Sequence, residues 1–254
     1  MEKWQGYLPD VDTIRQVHHV SGSYLGGHPI GIIAVDMGYP KLPGNVVNAS
    51  TYSYPVLYKK VSFQIEQLFA GDPKLREMIV NAARELAADG VRAIVGACGY
   101  FAHFQKDVAA AVDVPVFMSS LCQLSMIKLG LRAEQKILVL CASGDSFNQD
   151  FLSKVNARME DCIIQDVGSM ESFAGIRWDG RSLDNGKLTD DLAALAARVV
   201  AEHPEVGAIL LECSDLPPYA YAIQAATGLP VFDFISMIDW IEKSVVQKPY
   251  FGFF

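Results

Sequence analysis

Two cysteines are the residues of this sequence best suited to chemistry, because they occupy matching positions of an internal repeat. Residues 91–117 align with residues 206–232 at a constant offset of 115, without a gap and with nine of 27 positions identical. Cys98 falls on Cys213 in this alignment. A thiolate can remove a proton from an activated carbon, and a second thiol can return one from the opposite face. The pair therefore predicts two-base proton transfer at a single carbon atom.

The elements around the cysteines predict how the two thiols are brought together. Each cysteine follows an apolar run typical of a buried parallel strand and precedes a helical stretch. Strands that alternate with helices form parallel βαβ units, and ligands of such sheets bind at the carboxyl ends of the strands. We therefore predict an α/β fold of two pseudo-symmetric, three-layer lobes with mainly parallel sheets. The active site is expected in the cleft between the lobes.

The repeat also predicts the boundaries of the lobes. The first lobe is expected to consist of residues 1–119 plus 232–254, and the second of residues 120–231. By the symmetry of the repeat, the C-terminal helix returns to the first lobe, which makes that lobe discontinuous. The N-terminal arm fits neither copy, and its adjacent His18 and His19 are poorly placed to face one metal ion, so no metal site is predicted.

Composition excludes several classes of partner. The net charge of −8 and the pI near 5.1 argue against a nucleic-acid-binding face, which must be basic. The apolar runs fall far below the ~20 residues that a membrane-spanning helix needs, and the N-terminus carries no apolar signal region. An odd number of cysteines, five in all, fits free thiols in a reducing compartment. We predict a soluble cytoplasmic protein that binds neither nucleic acid nor membrane.

The reactivity of the cysteines depends on how their thiols ionise. A free thiol has a pKa of about 8.5, and a helix N-terminus can lower it considerably. Each cysteine precedes a helical stretch, so we expect backbone N–H groups there to stabilise a thiolate or a substrate carboxylate. The other three cysteines have no partner in the repeat and are expected in the core; they are Cys122, Cys141 and Cys162.

The two cysteine loops carry a resemblance to a known family. Residues 94–98 (IVGAC) and 209–217 (ILLECSDLP) resemble the signature loops of the aspartate/glutamate/hydantoin racemase superfamily, and the likeness extends from about residue 31 to residue 241. The resemblance implies a homodimeric isomerase without cofactor or metal. Such an enzyme would invert the acidic carbon of an amino acid, a related carboxylate or a cyclic ureide, with Cys98 and Cys213 as acid and base.

Further site residues are expected around the cysteines. Asp215 lies where the family has an auxiliary acid/base group, and Asp36, at the end of the first strand, is a second auxiliary candidate for Cys98. A small anionic substrate is expected to be bound by Asn48, Gly99, Tyr100, Ser143, Ser146 and Ser214. Within this set, the loop of Ser143 and Ser146 resembles the family's anion-binding loop. The first cysteine loop departs from the amino-acid racemases and is closer to hydantoin racemases, which leaves the substrate open.

Two alternatives fit the same residues. An arylmalonate-decarboxylase-like or maleate-isomerase-like enzyme would share the fold, although the decarboxylase keeps only the second cysteine, so that Cys98 counts against it. A non-catalytic protein that binds small carboxylates would also have two facing α/β lobes. Such a binding module has no need of two reactive thiols in its cleft, so their titration would distinguish it from an enzyme.

Overall fold

The computed structural model of the protein describes residues 25–179 and 182–254. Within these residues, the chain forms two parallel sheets of four strands each. The first sheet contains β1 (Ile30–Val35), β2 (Val56–Val61), β3 (Ala93–Gly96) and β4 (Val116–Phe117), and the second contains β5 (Lys136–Cys141), β6 (Cys162–Asp166), β7 (Val206–Leu211) and β8 (Val231–Phe232). The predicted α/β fold of two pseudo-symmetric lobes is confirmed. His18 and His19 lie outside the described residues.

The repeat seen in the sequence extends to the pairing of the strands. The first sheet has the strand order β2-β1-β3-β4 and the second has the equivalent order β6-β5-β7-β8. Ile94 pairs with Val116, and Ile209 pairs with Val231, so the register of these strands also shifts by the offset of the repeat. Each cysteine therefore follows the third strand of its lobe in chain order, a central strand of the sheet.

Helices flank both sheets. Their bounds are α1 (Ile65–Phe69), α2 (Arg76–Ala88), α3 (Gln105–Ala109), α4 (Leu124–Leu129), α5 (Gln149–Ser153), α6 (Asn185–Glu202), α7 (Ala220–Thr227) and α8 (Phe234–Val245). Short 3₁₀ turns follow both cysteines, at Gly99–Phe104 and Pro217–Tyr219. α2 ends where Gly90 adopts a φ of 89°, a conformation that glycine accepts without strain. Among the described residues, no helix is long and apolar enough to cross a membrane.

Local sequence explains where the longer helices begin. The side chain of Asp184 accepts the backbone N–H of Lys187 at the start of α6, and the side chain of Asp233 accepts that of Ser236 at the start of α8. Such caps satisfy N–H groups that have no partner within the helix. At both positions the cap therefore fixes the point at which the chain enters the helix.

The hydrophobic core has two parts. The larger cluster is continuous through both lobes and includes the buried strands of the second sheet. The smaller cluster joins β1 and β3 to the last helix, whose packing side chains are Phe234, Met237, Ile238 and Ile241. The C-terminal helix thus covers the first sheet, which supports the proposal of a discontinuous first lobe.

Candidate active site

Cys98 and Cys213 line the same cavity, which lies at the carboxyl ends of strands from both sheets. Its volume is about 560 Å³, counting the mouth that opens to solvent. Most of the wall is apolar, with Phe69 and Phe173 contributing aromatic rings. The structure thus brings together the two thiols that the repeat singled out. In the described part of the chain, no three potential metal ligands converge on one point.

The thiol of Cys213 belongs to a buried hydrogen-bond network. Its Sγ donates to Oδ2 of Asp215 at 3.5 Å. The other oxygen of that carboxylate accepts the hydroxyl of Tyr39 at 2.7 Å and the side-chain amide of Asn45. Tyr39 and Asn45 come from the loop that follows β1 in the opposite lobe. Asp215 is thereby held in place on one side and faces the sulfur of Cys213 on the other.

Burial sets the ionisation of these groups. It raises the pKa of Cys98, with further contributions from the carboxylates of Glu212 and Asp215, while the backbone N–H of Tyr100 opposes the shift. It also raises the pKa of Cys213, with Asp215 and then Glu212 adding to the effect. The backbone N–H groups after both cysteines lower the two values, as expected, but the net pKa of each thiol is raised. The turns after the cysteines are short 3₁₀ segments, and loss of solvation outweighs their N–H groups.

Two residues of the first cysteine loop are structural rather than exposed to the cavity. Tyr100 is completely buried; its hydroxyl donates to the carbonyl of Ser143 at 2.8 Å, and its ring stacks on Phe151 with centroids 5.6 Å apart. Gly99 lies against Glu212, where a Cβ atom would come within 1.8 Å of a carboxyl oxygen. Neither Tyr100 nor Gly99 lines the cavity, so their predicted contact with substrate is not supported.

The predicted anion-binding loop is occupied by the protein itself. Ser143 and Ser146 lie outside the cavity wall, with their hydroxyl oxygens 3.2 Å apart. The backbone N–H of Gly144 between them donates to a carboxylate oxygen of Asp166 at 2.6 Å. A substrate carboxylate would have to displace this internal one. Ser214, in contrast, is buried in the wall of the cavity, and its contact with substrate stays a prediction.

Two other predicted residues stabilise the surface of the first lobe. Asp36 is exposed and accepts the ammonium of Lys60 at 2.9 Å and the hydroxyl of Ser62 at 3.0 Å, which keeps its carboxylate away from the cavity. Asn48 accepts the backbone N–H of Ser50 at 2.9 Å and donates to the carbonyl of Lys41 at 2.9 Å. The placement of Asp36 does not support a role as an aid to Cys98, and Asn48 shapes the loop instead of lining the cavity.

Two cationic side chains in the wall were not found by sequence analysis. The ammonium of Lys41 lies 3.4 Å from the ring centroid of Tyr39, and the guanidinium of Arg177 lies 4.9 Å from that of Phe69. Both line the cavity. Single basic residues in loops carry no motif, so their position near the thiols depends on the tertiary fold. They supply positive charge where the net charge of the chain is negative.

Sequence comparisons identify relatives of this chain. A sequence profile described as Asp/Glu/hydantoin racemase matches residues 64–238. A dimethylsulfoniopropionate lyase from Durusdinium sp. clade D is 34% identical over 88% of this chain and 77% of that protein. Dimethylsulfoniopropionate lyase 7 from Emiliania huxleyi is 32% identical over 88% of this chain and 69% of that protein, whereas for lyase 5 of the same organism, 33% identical, the match spans 46% of its length.

Solved structures resemble the chain at lower identity. An aspartate racemase homologue from Pyrococcus horikoshii has a TM-score of 0.55 at 18% identity, over 85% of this chain and 98% of that one. Allantoin racemase from Pseudomonas fluorescens has a TM-score of 0.55 at 13% identity, over 85% and 90%. Unliganded arylmalonate decarboxylase has a TM-score of 0.53 at 17% identity, over 85% and 92%. These likenesses show the fold.

Proposed function

The chain belongs to the Asp/Glu/hydantoin racemase family, and within that family we propose that it is a lyase which eliminates a sulfide from a small β-sulfonium carboxylate such as dimethylsulfoniopropionate. The relatives that are 32–34% identical carry the name of this lyase. The sequence alone favoured an isomerase of the same family. Both reactions begin with removal of a proton from the carbon next to a carboxylate, so the same thiols serve either one.

The elimination can be written with the groups of the cavity. The thiolate of one cysteine takes the proton from the carbon next to the substrate carboxylate. The electron pair of that C–H bond forms a carbon–carbon double bond, and the bond from the β-carbon to sulfur breaks. Dimethyl sulfide leaves with the bonding pair, acrylate remains, and the proton stays on the cysteine until it is passed to solvent. No electron carrier is required, so no cofactor is proposed.

The pairing of Cys213 with Asp215 at the wall of an apolar cavity is the observation that carries this proposal. The carboxylate oxygen 3.5 Å from the sulfur can accept the thiol proton and leave a thiolate as the base. Each thiol also interacts with the backbone N–H two residues further on, that of Tyr100 for Cys98 and that of Asp215 for Cys213, so the carboxylate is what distinguishes Cys213. We therefore assign the role of base to Cys213. Cys98 is assigned to the opposite wall, where it contacts the substrate.

The charges and rings of the cavity suit a substrate with one carboxylate and one apolar cation. The ammonium of Lys41 is the proposed partner of the substrate carboxylate. The rings of Tyr39 and Phe69 contact cationic side chains of the protein, and aromatic faces also attract methylated cations. Asp166 occupies the loop that resembles the family's anion-binding loop, so a second substrate carboxylate would have to displace it. Dicarboxylates are therefore less suitable substrates than a sulfonium monocarboxylate.

Incubation with dimethylsulfoniopropionate in deuterium oxide tests the proposal. We expect equal amounts of dimethyl sulfide, measured by gas chromatography, and acrylate, measured by proton NMR. Lys41→Gln should raise KM about tenfold or more, equivalent to about 1.4 kcal/mol of lost binding, with a smaller change in kcat. Lys60→Gln, which removes a surface lysine paired with Asp36, is the matched control and should leave KM within about twofold.

A racemase or epimerase is the second candidate, and the presence of both thiols on one cavity is the observation that favours it. Under the same conditions, a racemase would exchange the α-proton of amino acids, hydantoins or related carboxylates for deuterium and release no sulfide. Exchange without elimination, across a screen that includes the sulfonium substrate, would replace the lyase proposal by this one. The homodimer and the cytoplasmic location stay predictions from the sequence.

A further inference from the structure

Glu212 is a completely buried carboxyl group beside the active-site cysteines. It follows the last residue of β7, precedes Cys213 and has no solvent exposure. One oxygen, Oε2, accepts the backbone N–H of Ala142 at 3.3 Å. The other, Oε1, has no hydrogen-bond partner among the described residues. A charged carboxylate with one long hydrogen bond is costly to bury, so this environment favours the neutral acid.

The side chain of Glu212 reaches from the second lobe to the first cysteine loop. A Cβ atom on Gly99 would lie 1.8 Å from Oε1 of Glu212, so only the missing side chain of Gly99 leaves space for the carboxyl group. Gly99 follows Cys98 directly, as Glu212 directly precedes Cys213. One buried carboxyl group is therefore adjacent to both cysteine loops, from which it can act on both thiols at once.

Electrostatics are consistent with this geometry. Burial is the main cause that raises the pKa of Glu212 to about 8; the N–H of Ala142 opposes the shift, and the negative charges of Asp215 and Asp166 add to it. The charge of ionised Glu212 raises the pKa of both Cys98 and Cys213. The ionisable groups that face Glu212 are Cys98 and Tyr100 of the first loop, Cys141 of β5, Asp166 of β6, and Cys213 and Asp215 after β7.

We propose that Glu212 is a positioning residue for both thiols. It is neutral when either thiol serves as a base. Once Glu212 is ionised, its negative charge disfavours the thiolate form of both cysteines. Release of its proton to solvent adds a negative charge between the two cysteine loops. The proposal depends on the proposed function only in that Cys98 and Cys213 are the reacting groups, and it does not depend on the substrate.

Alkylation of the thiols tests this role without a substrate. The rates at which a small haloacetamide modifies Cys98 and Cys213 are measured by peptide mass spectrometry at pH 6 and pH 9, in the wild type and in Glu212→Gln. At pH 6 the rates should agree within about twofold, because glutamine mimics the neutral acid. At pH 9 both thiols of the variant should react about tenfold faster, the effect of one unit of thiol pKa.

Two further variants protect the test against a folding artefact. Glu212→Met has a side chain of similar volume and carries no charge, although it removes the acceptor of the Ala142 N–H; it should show the same increase at pH 9. Asp233→Asn removes another buried carboxyl group but keeps an N-cap residue for α8, and it should leave both thiol rates unchanged.

The outcomes separate the proposal from a purely structural role. A structural role would change the rates by the same factor at pH 6 and pH 9, and that result would overturn the proposal. So would an increase confined to one of the two thiols. Because the measurement needs no turnover, a protein that fails to release dimethyl sulfide but shows the pH-dependent increase loses its proposed substrate and keeps the assigned role of Glu212.

Discussion

The two cysteine loops occupy equivalent positions in the two lobes, yet they differ in every residue around the sulfur. The repeat aligns Tyr100 with Asp215 and Ala97 with Glu212. In the second lobe, Asp215 accepts the thiol of Cys213. In the first lobe, the equivalent Tyr100 is buried in an aromatic cluster and bonds a backbone carbonyl. The two lobes therefore place a cysteine at the same position, and in the second lobe Asp215 gives Cys213 an acid–base partner.

This difference indicates that the two thiols are unequal. A racemase working on both enantiomers needs comparable bases on the two faces of the substrate, whereas an elimination needs a single base. The asymmetry of the loops therefore favours the lyase over the racemase on physical grounds that are independent of the names of relatives. Four measurements test whether the two thiols are unequal.

Serine substitutions at the two cysteines should have the largest effect. Cys213→Ser removes the proposed base, and kcat/KM for release of dimethyl sulfide should fall about 10³-fold, within the range found for general acid–base groups. Cys98→Ser should reduce kcat/KM by about tenfold, because it alters the opposite wall and leaves the base in place. Circular dichroism would verify that both variants fold. Equal losses in the two variants would contradict the inequality and support two-base chemistry.

Matched substitutions at the aligned positions after the cysteines test the second largest effect. Asp215→Asn deletes the acceptor for the thiol proton, and we expect kcat to fall about 10²-fold. Tyr100→Phe removes only the hydrogen bond to the carbonyl of Ser143, so it should cost about 1 kcal/mol of stability and leave kcat within about twofold. Steady-state kinetics and urea unfolding measure the two quantities. A large loss of kcat in Tyr100→Phe would give the first loop a chemical role.

The pH dependence of stability tests the contrast between Ala97 and Glu212. The pKa of Glu212 is raised from 4.5 to about 8 in the folded protein, so between these values the folded state holds a proton that the unfolded state has released. Its contribution therefore lowers stability as the pH rises from about 5 to about 8 and then levels off. In Glu212→Gln, Tm should fall less between pH 5 and pH 8 than in the wild type. Each kcal/mol of lost stability lowers Tm by roughly 2–4 °C. Parallel Tm curves for the two proteins would rule out a buried neutral acid.

The smallest effect is expected at Asp36, the aspartate that follows a strand in the first lobe. Its carboxylate is exposed and paired with Lys60. Hydrogen bonds from Lys60 and Ser62, and then the positive charge of Lys60, lower its pKa. Asp36→Asn should change kcat/KM by less than about twofold, as for most surface substitutions. A loss comparable to that of Asp215→Asn would mean that the loop after β1 moves inward during turnover.

Much of the fold could be predicted from the sequence, and the exceptions have a physical reason. The strand before each cysteine is a continuous apolar run, and it occurs at the same position in both copies of the repeat. The strands β2 and β6 were not predicted, because both lie at sheet edges and are largely half-buried. Lys59 and Lys60 interrupt the apolar pattern of β2, and Gln165 and Asp166 end β6. Edge strands of this kind lack the signal that identifies central ones.

Site residues could be predicted most clearly where a reactive side chain occupies matching positions of the repeat. Cys98 and Cys213 could be found because residue type and position agree. Tyr39 lies 176 residues from its partner Asp215, a distance that no local pattern bridges. Glu212 directly follows a buried apolar strand, but glutamates are almost never fully buried, so its complete burial could not be predicted from the sequence. The predicted role of the serine loop is not supported, because the N–H of Gly144 is used by Asp166, which comes from a strand that the sequence did not reveal.

The aromatic contact between the lobes limits how the protein can be divided. Tyr100 packs on Phe147 and Phe151 of the other lobe, with ring centroids 5.9 and 5.6 Å apart, inside a core that is continuous through both. A half-chain produced alone would leave these rings in water, which favours aggregation. We therefore expect the two halves of the gene to yield soluble protein only when expressed together, as fragments that complement each other.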